Sequence, residues 1–339
     1  MSATINDVAK EAGVSITTVS RVLNNNYPVK KETRIKIENA IKKLNYKPNA
    51  MARSLITKKT STLGIIVPGI TNLFFPTIVE AIEDVSKSLG YSILLCNTRG
   101  NKDEEISLVE QLISKQVDGI IIIDPNSDNL KKGFYDKISN NIPLIIVSGE
   151  PYGLNCSFVC YDEKIGTMEA FEYLLSLNHK KIAFIRGNKS FSYDIKEKIY
   201  KQILKDNNLN YEKIINVGEG NTIEVVEKTE KIMEKFLICK DKPTAIFACN
   251  DLMAVGVINA CNKLKIKIPK EISLIGFDNT MLSNITQPKL TTIDLNMKEV
   301  GHISAKEVIN LIENKNEERK KIILNTKLVI KESTEKINI

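Results

Sequence analysis

The sequence predicts a small all-α unit of three helices, followed by an α/β body of two lobes, each a doubly wound parallel sheet. Three observations predict it. The first 60 residues hold 12 Lys and Arg against 4 Asp and Glu, a charge of +8, whereas the whole 339-residue chain carries +7, so the body is close to neutral. Within those 60 residues, apolar side chains recur at helical spacing on both sides of Gly13. From Ser61 onward, nearly continuous Val, Ile and Leu runs alternate with amphipathic segments, the pattern of parallel strands covered by helices on both faces.

The first helix opens at Thr4, an N-cap with Asp7 three residues on, where a carboxylate also suits the helix dipole. Ile5, Val8, Ala9 and Ala12 form its apolar stripe, and Gly13 supplies the left-handed residue that ends it. Ser15 caps a second helix whose Val19, Val22 and Leu23 face inward, leaving Ile16, Thr17 and Arg21 outward. The third, in "KETRIKIENAIKKLNY", places Ile37, Ala40, Ile41 and Leu44 on one face. Lys30 stands where a Ser or Thr cap would serve that helix, at a cost on the order of 1 kcal/mol. Helix, glycine turn and helix with a supporting third form a helix-turn-helix, and its basic charge is the footprint of nucleic-acid binding. In a major groove, arginine pairs with a guanine edge, threonine bonds a base or phosphate, and isoleucine touches a thymine methyl. The next stretch, "YKPNAMARSLITKKT", breaks at Pro48, can be capped by Asn49 and holds a short helix, marginal alone in water, with Arg53, Lys58 and Lys59 suited to phosphate.

Ten apolar runs read as strands: "TLGIIVPG", "YSILLCN", "DGIIIID", "IPLIIVSG", "SFVCYD", "KIAFIRG", "KIINVG", "TAIFACN", "SLIGFDN" and "TTIDL". Ten are many for one sheet, so two lobes are the natural division. Gly-rich phosphate loops and the GxSxG nucleophile turn do not occur at any strand–helix junction. Two histidines, His179 and His302, leave no basis for a histidine metal site or a Ser-His-Asp triad. The six cysteines lack paired spacing and read mostly as buried apolar residues in a reducing compartment. The expectation is a protein that is not an enzyme, with no cofactor and no metal. No apolar run is long enough to span a bilayer and Met1–Thr18 has no signal-peptide core, so a cytoplasmic chain with no membrane partner is expected.

The ordered set "TINDVAKEAGVSITTVSRVLNN", "YKPNAMARSL", "LGIIVPGITNLFF", "QVDGIIII", "PTAIFACNDLMAVGV", "IPKEISLIGFDN" and "PKLTTI" resembles the lactose-repressor/galactose-repressor (LacI/GalR) family of bacterial transcriptional regulators over roughly residues 4–331. The resemblance implies a DNA-binding headpiece at 1–46, a hinge helix and linker at 47–60, and a periplasmic-binding-protein-like effector core at 61–339. Within that core it implies one lobe of about 61–161 and 292–320, and another of about 162–291 and 321–331, joined by three crossovers. It also implies a homodimer on pseudo-palindromic double-stranded operator DNA, with a small molecule, a sugar or sugar derivative, between the lobes. Together with the headpiece pattern it gives a DNA-facing set of Thr4, Ser15, Ile16, Thr17, Thr18, Ser20, Arg21, Asn24, Asn49, Arg53 and Leu55. Leu55 would be the apolar wedge that enters the minor groove. The implied effector set is Phe74, Phe75, Ser148, Lys196, Phe247, Asn250 and Asp278.

Two departures bear on the effector. Lys196 occupies a position where relatives carry arginine, and lysine cannot form the planar two-pronged fork. Ser148 stands where sugar-binding relatives often have aspartate. Both changes point to an effector carrying negative charge, such as a phosphorylated or acidic sugar. A variant reading is a catabolite-control-type regulator with a phosphocarrier protein as corepressor. A reading of another class, a transport-type solute-binding protein, would share the body but not the basic headpiece. The tail after Lys331, "ESTEKINI", shows no heptad repeat, so a C-terminal coiled coil is not expected. If Leu55 is the wedge, Leu55→Ala weakens operator binding while leaving salt-sensitive binding to random duplex nearly intact. Titration of both duplexes at two salt concentrations checks this, and equal losses on the two would remove the wedge.

Overall fold

In the computed structural model, which describes residues 3–24, 27–47, 59–148, 155–188, 190–314 and 318–337, helix α1 (Ile5–Ala12) begins at a reciprocal capping box. The Thr4 hydroxyl oxygen accepts from the Asp7 N–H at 3.3 Å, and the Asp7 carboxylate accepts from the Thr4 N–H at 2.8 Å. These two bonds satisfy donors that a bare helix end would leave orphaned. Gly13 ends α1 at φ +63°. Nothing lies within 4 Å of where its Cβ would sit, so the backbone angle rather than space calls for glycine. Helix α2 (Ile16–Asn24) follows, with the Ser15 oxygen accepting from the Thr18 N–H at 3.3 Å. Helix α3 (Lys31–Lys43) starts after Lys30 without a side-chain cap bond. Val8, Val19 and Ile37 are fully buried where the three helices meet, joined by Ala9, Val22 and Ala40. Ile41 and Leu44 pack against this core but stay partly exposed. These helices belong to one compact unit, Met1–Thr60, and Ser61–Ile339 form the second.

The larger unit contains two parallel sheets. The first is built from β1 (Thr62–Val67), β2 (Ser92–Asn97), β3 (Gly119–Ile123), β4 (Leu144–Ser148), β5 (Ser157–Tyr161) and β11 (Lys321–Leu324), in the order β11-β5-β4-β3-β1-β2. Between them run α4 (Phe74–Ser88), α5 (Lys102–Ser114), α6 (Ser127–Lys131) and α7 (Phe134–Ser139). The second comprises β6 (Ile182–Arg186), β7 (Lys213–Asn216), β8 (Ala245–Ala248) and β9 (Ser273–Ile275), in the order β7-β6-β8-β9. Its helices are α8 (Glu163–Ser176), α9 (Phe191–Asp206), α10 (Glu224–Leu237) and α11 (Asp251–Lys263). The short α12 (Leu282–Ile285) follows, then β10 (Thr292–Asp294) and α13 (Met297–Glu313), and β12 (Lys327–Val329) pairs antiparallel with β10. Strands β3, β4 and β5 are buried along their whole length, as both-face coverage requires, whereas β2 and β7 at sheet edges stay partly exposed.

The chain passes between the sheets three times: after β5, between β9 and α13, and after β11, where the tail runs beside β9 through the Leu274 N–H to Ser333 carbonyl bond of 2.8 Å. All ten apolar runs form strands. Two further strands, β11 and β12, come from "KIILNTKLV", a lysine-flanked, half-exposed stretch whose pattern gives little core signal. Strand β11 also corrects the lobe boundary at 321: its residues 321–324 pair in parallel with β5, so they extend the first sheet and do not belong to the second lobe. The cysteines are free, with four buried, Cys96 partly exposed and Cys239 exposed.

A three-helix unit of this size has thin stability, because it buries too little surface. Ile37→Ala is therefore expected to cost about 2–5 kcal/mol. In a calorimetric melt of the full chain, it should lower or abolish the headpiece transition while the transition of the body keeps its midpoint.

Candidate functional site

Two sets of side chains can carry function, one in each unit. On the headpiece, α2 buries Val19 and Val22 and turns Ile16, Thr17 and Arg21 to solvent, Ile16 being 49% exposed. Ile16 is thus free of the core and open to a partner. The Arg21 guanidinium lies over the Tyr27 ring, 4.6 Å from its centroid. Three other residues of the DNA-facing set already serve the fold. Thr4 and Asp7 form the capping box, and its backbone bond, then its hydroxyl bond, hold the Asp7 carboxyl below the usual range. The Ser15 and Thr18 hydroxyls meet at 2.9 Å. Each keeps spare lone pairs, so a structural bond does not bar a phosphate contact. Ser20 is partly buried and has a partner. Asn24 is the last residue of α2, whereas Asn49, Arg53 and Leu55 lie outside the described residues.

In the body, two adjoining cavities sit where the carboxyl ends of the sheets approach each other, the position at which open α/β sheets bind ligands. One, of about 100 Å³, is lined by Glu105, Asp124, Asn188, Ser190, Glu219 and others. The second, of about 30 Å³, is lined by Phe74, Phe75, Glu163, Lys196, Asn250, Asp278 and others. Asp124, Tyr193 and Asn221 belong to both. Asp124 directly follows β3 and Asp278 lies just beyond β9, with φ of +49° and +107° that turn the chain at each strand end. Phe74 and Phe75 open α4 and meet edge to face at 5.0 Å. Asn250 caps α11 through its Oδ1, which accepts from the Met253 N–H at 2.9 Å, while its amide donates to the Gly220 carbonyl at 2.9 Å. The Ile223 N–H donates to the Thr71 hydroxyl at 3.2 Å, so the lobes touch across the cleft.

The charges at this site are not balanced. Lys196 is 2% exposed and its ammonium is 3.0 Å from Glu163, itself 2% exposed, and 2.7 Å from the Ser192 hydroxyl. Burial alone would depress the lysine, but the neighbouring carboxylate outweighs it and holds the ammonium charged. The other Glu163 oxygen, Oε2, is buried with no hydrogen-bond partner among the described residues. Burial, then the charge of Asp251, pushes the Asp278 carboxyl well above the carboxylate range. Burial, then Glu163, pushes Asp124 up to about 7. Lys196 thus lines the smaller cavity with its ammonium already paired to Glu163.

Two expected effector residues do not reach the cavity. Phe247 is fully buried in an aromatic stack, 4.8 Å from Phe171 and 5.6 Å from Phe184, so it is core. Ser148 is 4% exposed at the end of β4, with its hydroxyl 4.0 Å from the Cys160 sulfur, and lines neither cavity. Asp124, Glu163 and Tyr193 were not singled out. Asp124 closes the run "DGIIIIDP" at the end of a parallel strand, the same signal that singled out Asp278. The Glu163–Lys196 pairing spans 33 residues and has no local signature.

The headpiece residues 4–49 match the family described as bacterial regulatory proteins, lacI family, and residues 171–334 match a periplasmic binding protein-like domain. The chain is 36% identical over 308 residues to Catabolite control protein A of Priestia megaterium, covering 90% of this chain and 91% of that one. It is 35% identical over 339 residues to the HTH-type transcriptional repressor PurR of Histophilus somni, covering 98% of each. A lac repressor dimer bound to operator and an anti-inducer superposes with a TM-score of 0.85 at 26% identity, over 99% of this chain and 100% of that one. The fold is that of a two-part regulator, a helix-turn-helix headpiece on a periplasmic-binding-protein-like core. The chain belongs to the lacI family of bacterial regulatory proteins.

The raised Asp124 carboxyl has a consequence for stability. Its value rises from 3.8 to about 7 on folding, so the folded state holds the proton more tightly and the cost of ionising it grows as pH rises through that window. Asp124→Asn is expected to raise the melting temperature of the unliganded protein at pH 8 and to give no gain at pH 4. Equal shifts at both pH values would contradict the assignment.

Proposed function

We propose that this chain is a sequence-specific DNA-binding regulator, acting as a repressor, whose operator affinity is set by a small hydroxylated effector held between the lobes. The observation that carries the reading is the outward ridge of Ile16, Thr17 and Arg21 on a basic helix-turn-helix whose inner face is packed core. A homodimer would present two such ridges about one helical turn of DNA apart, matching a pseudo-palindromic operator. Asp278 and Asn250 would meet effector hydroxyls, and the Phe74 and Phe75 rings its CH faces. That the lac repressor structure holds an anti-inducer and operator, and that an Enterococcus faecium LacI family regulator of TM-score 0.71 and 25% identity holds ribose, supports a sugar or sugar derivative here.

In this reading the effector prefers one arrangement of the lobes. The preference changes the spacing of the two hinge segments, and with it the fraction of dimers able to dock both half-sites. The domain division at 46 and 60 gives that spacing its lever. Neither catalysis nor a cofactor enters the scheme, and the cytoplasm is its setting. Among the described residues no helix is long and apolar enough to cross a membrane. A second reading, in which a phosphocarrier protein docks as corepressor, draws on the identity with Catabolite control protein A. Co-purification of the chain with a phosphorylated carrier, and not with its unphosphorylated form, is the result that reading requires.

Selection of bound fragments from random duplexes tests the proposal. It should recover a pseudo-palindrome. Arg21→Ala should then cost about 1–3 kcal/mol and relax base preference at one position of each half-site. Recovery of no preferred sequence, or a uniform loss on operator and random DNA, would refute base reading by α2.

A further inference from the structure

We propose that the effector carries an amino group: a compact, hydroxylated amine rather than a neutral or anionic sugar. This rests on the cleft being the effector site and goes further by fixing the ligand's charge. The walls of the smaller cavity present carboxyl groups from both lobes, Asp124 on one side and Glu163 and Asp278 on the other. Glu163 Oε2 is buried without a partner. Asp278 is 6% exposed, and its carboxyl has no hydrogen-bond donor among the described residues. The other two acids at the cleft, Glu105 and Glu219, are occupied. Glu105 accepts from Tyr135, from Asn129 and from the Asn126 N–H, and Glu219 accepts from the N–H groups of Gly220 and Asn221.

Lys196 is the one cation among the described lining residues, and it is spent. Its ammonium bonds Glu163 Oε1 and the Ser192 hydroxyl and sits 3.8 Å from the centroid of the Phe277 ring. What Glu163 Oε2 and the Asp278 carboxyl lack is therefore a positively charged donor aimed at them. A sugar hydroxyl offers one donor and no charge. An ammonium offers three donors and the charge that buried carboxylates need, and charge-assisted bonds are the stronger kind. A phosphate or carboxylate would face the Glu163 carboxylate in a water-poor site and would keep Asp124 and Asp278 from ionising. Burial with Asp251 in one case, and burial with Glu163 in the other, raises the Asp278 and Asp124 carboxyls. Both would lose their protons more readily beside a bound ammonium.

The test is calorimetric titration of the full-length protein at pH 7 with matched pairs differing in one group: glucosamine and glucose, galactosamine and galactose, mannosamine and mannose, with gluconate as the anion. At least one amine should bind about tenfold or more tightly than its parent hexose, and its binding should release protons, read as a heat that differs between phosphate and Tris buffers. Asp278→Asn should bring the ratio for that pair close to one. Asp124→Asn, on the other lobe, does the same should the first variant not fold. Parent hexoses binding as tightly as the amines, or gluconate binding more tightly, overturns the amine and leaves a sugar-controlled regulator standing. Silence from all seven compounds also overturns it, while operator selection judges the regulator reading separately.

Discussion

The carboxyl ends of two parallel sheets are held facing each other by three passages of the chain, and the chemistry of the body follows from that constraint. Residues that end strands are delivered to the cleft, Asp124 from the first sheet and Asp278 from the second. The first passage delivers Glu163 at the start of α8, directly after the chain leaves β5. Burying these acids together is costly, and a single buried ion pair, Lys196 with Glu163, offsets part of that cost. The remaining imbalance is concentrated where a ligand would sit. The lobes are thus joined firmly enough to bury charge but touch across the cleft through few polar contacts, such as the bond from Ile223 to Thr71. A ligand that supplied the missing partners would change the balance between closed and open arrangements.

The headpiece is governed by a different economy. Among the described residues, six buried apolar side chains form its centre, so its terminal hydrogen bonds matter in proportion. Thr4, Ser15 and Thr18 close the ends of α1 and α2 with bonds that also fix where those helices begin. The outward ridge of α2 is placed by this capping and by the left-handed turn at Gly13. Shape and recognition are therefore coupled: a change that frays the start of α2 would also move Ile16 and Thr17. Arg21 gains a second constraint from the Tyr27 ring beneath it, which limits how far its guanidinium can wander.

Most of the fold was legible because its signals are periodic. Apolar stripes at helical spacing marked the three headpiece helices, and continuous Val, Ile and Leu runs marked every buried strand. Strands β11 and β12 escaped because edge strands half open to water carry mixed sequences, and the boundary at 321 was misplaced with them. In the cleft, Asp278 and Asn250 were legible as polar residues at strand–helix junctions. Phe247 was misread because a phenylalanine in a strand looks the same whether it stacks on Phe171 in the core or lines a pocket. Ser148 ends β4 between the two strands whose Asp124 and Tyr161 line the smaller cavity, but it is buried with its hydroxyl 4.0 Å from the Cys160 sulfur. The Glu163–Lys196 pair was illegible for a deeper reason, since two charges 33 residues apart meet only when α8 and α9 pack together.

The central claim is that lobe arrangement and DNA affinity are coupled, and it can be tested without any ligand. The Ile223 N–H lies 3.2 Å from the Thr71 hydroxyl across the cleft, so cysteines at the two positions fall within the span of a short, reducible bis-thiol cross-linker. In a chain carrying Thr71→Cys and Ile223→Cys, with Cys239→Ser to remove the exposed native thiol, the cross-linker fixes the lobes together and its reduction frees them. Operator affinity measured in both states should differ by about fivefold or more, the range of ordinary allosteric coupling. Equal affinity in the locked and the free protein would contradict the account.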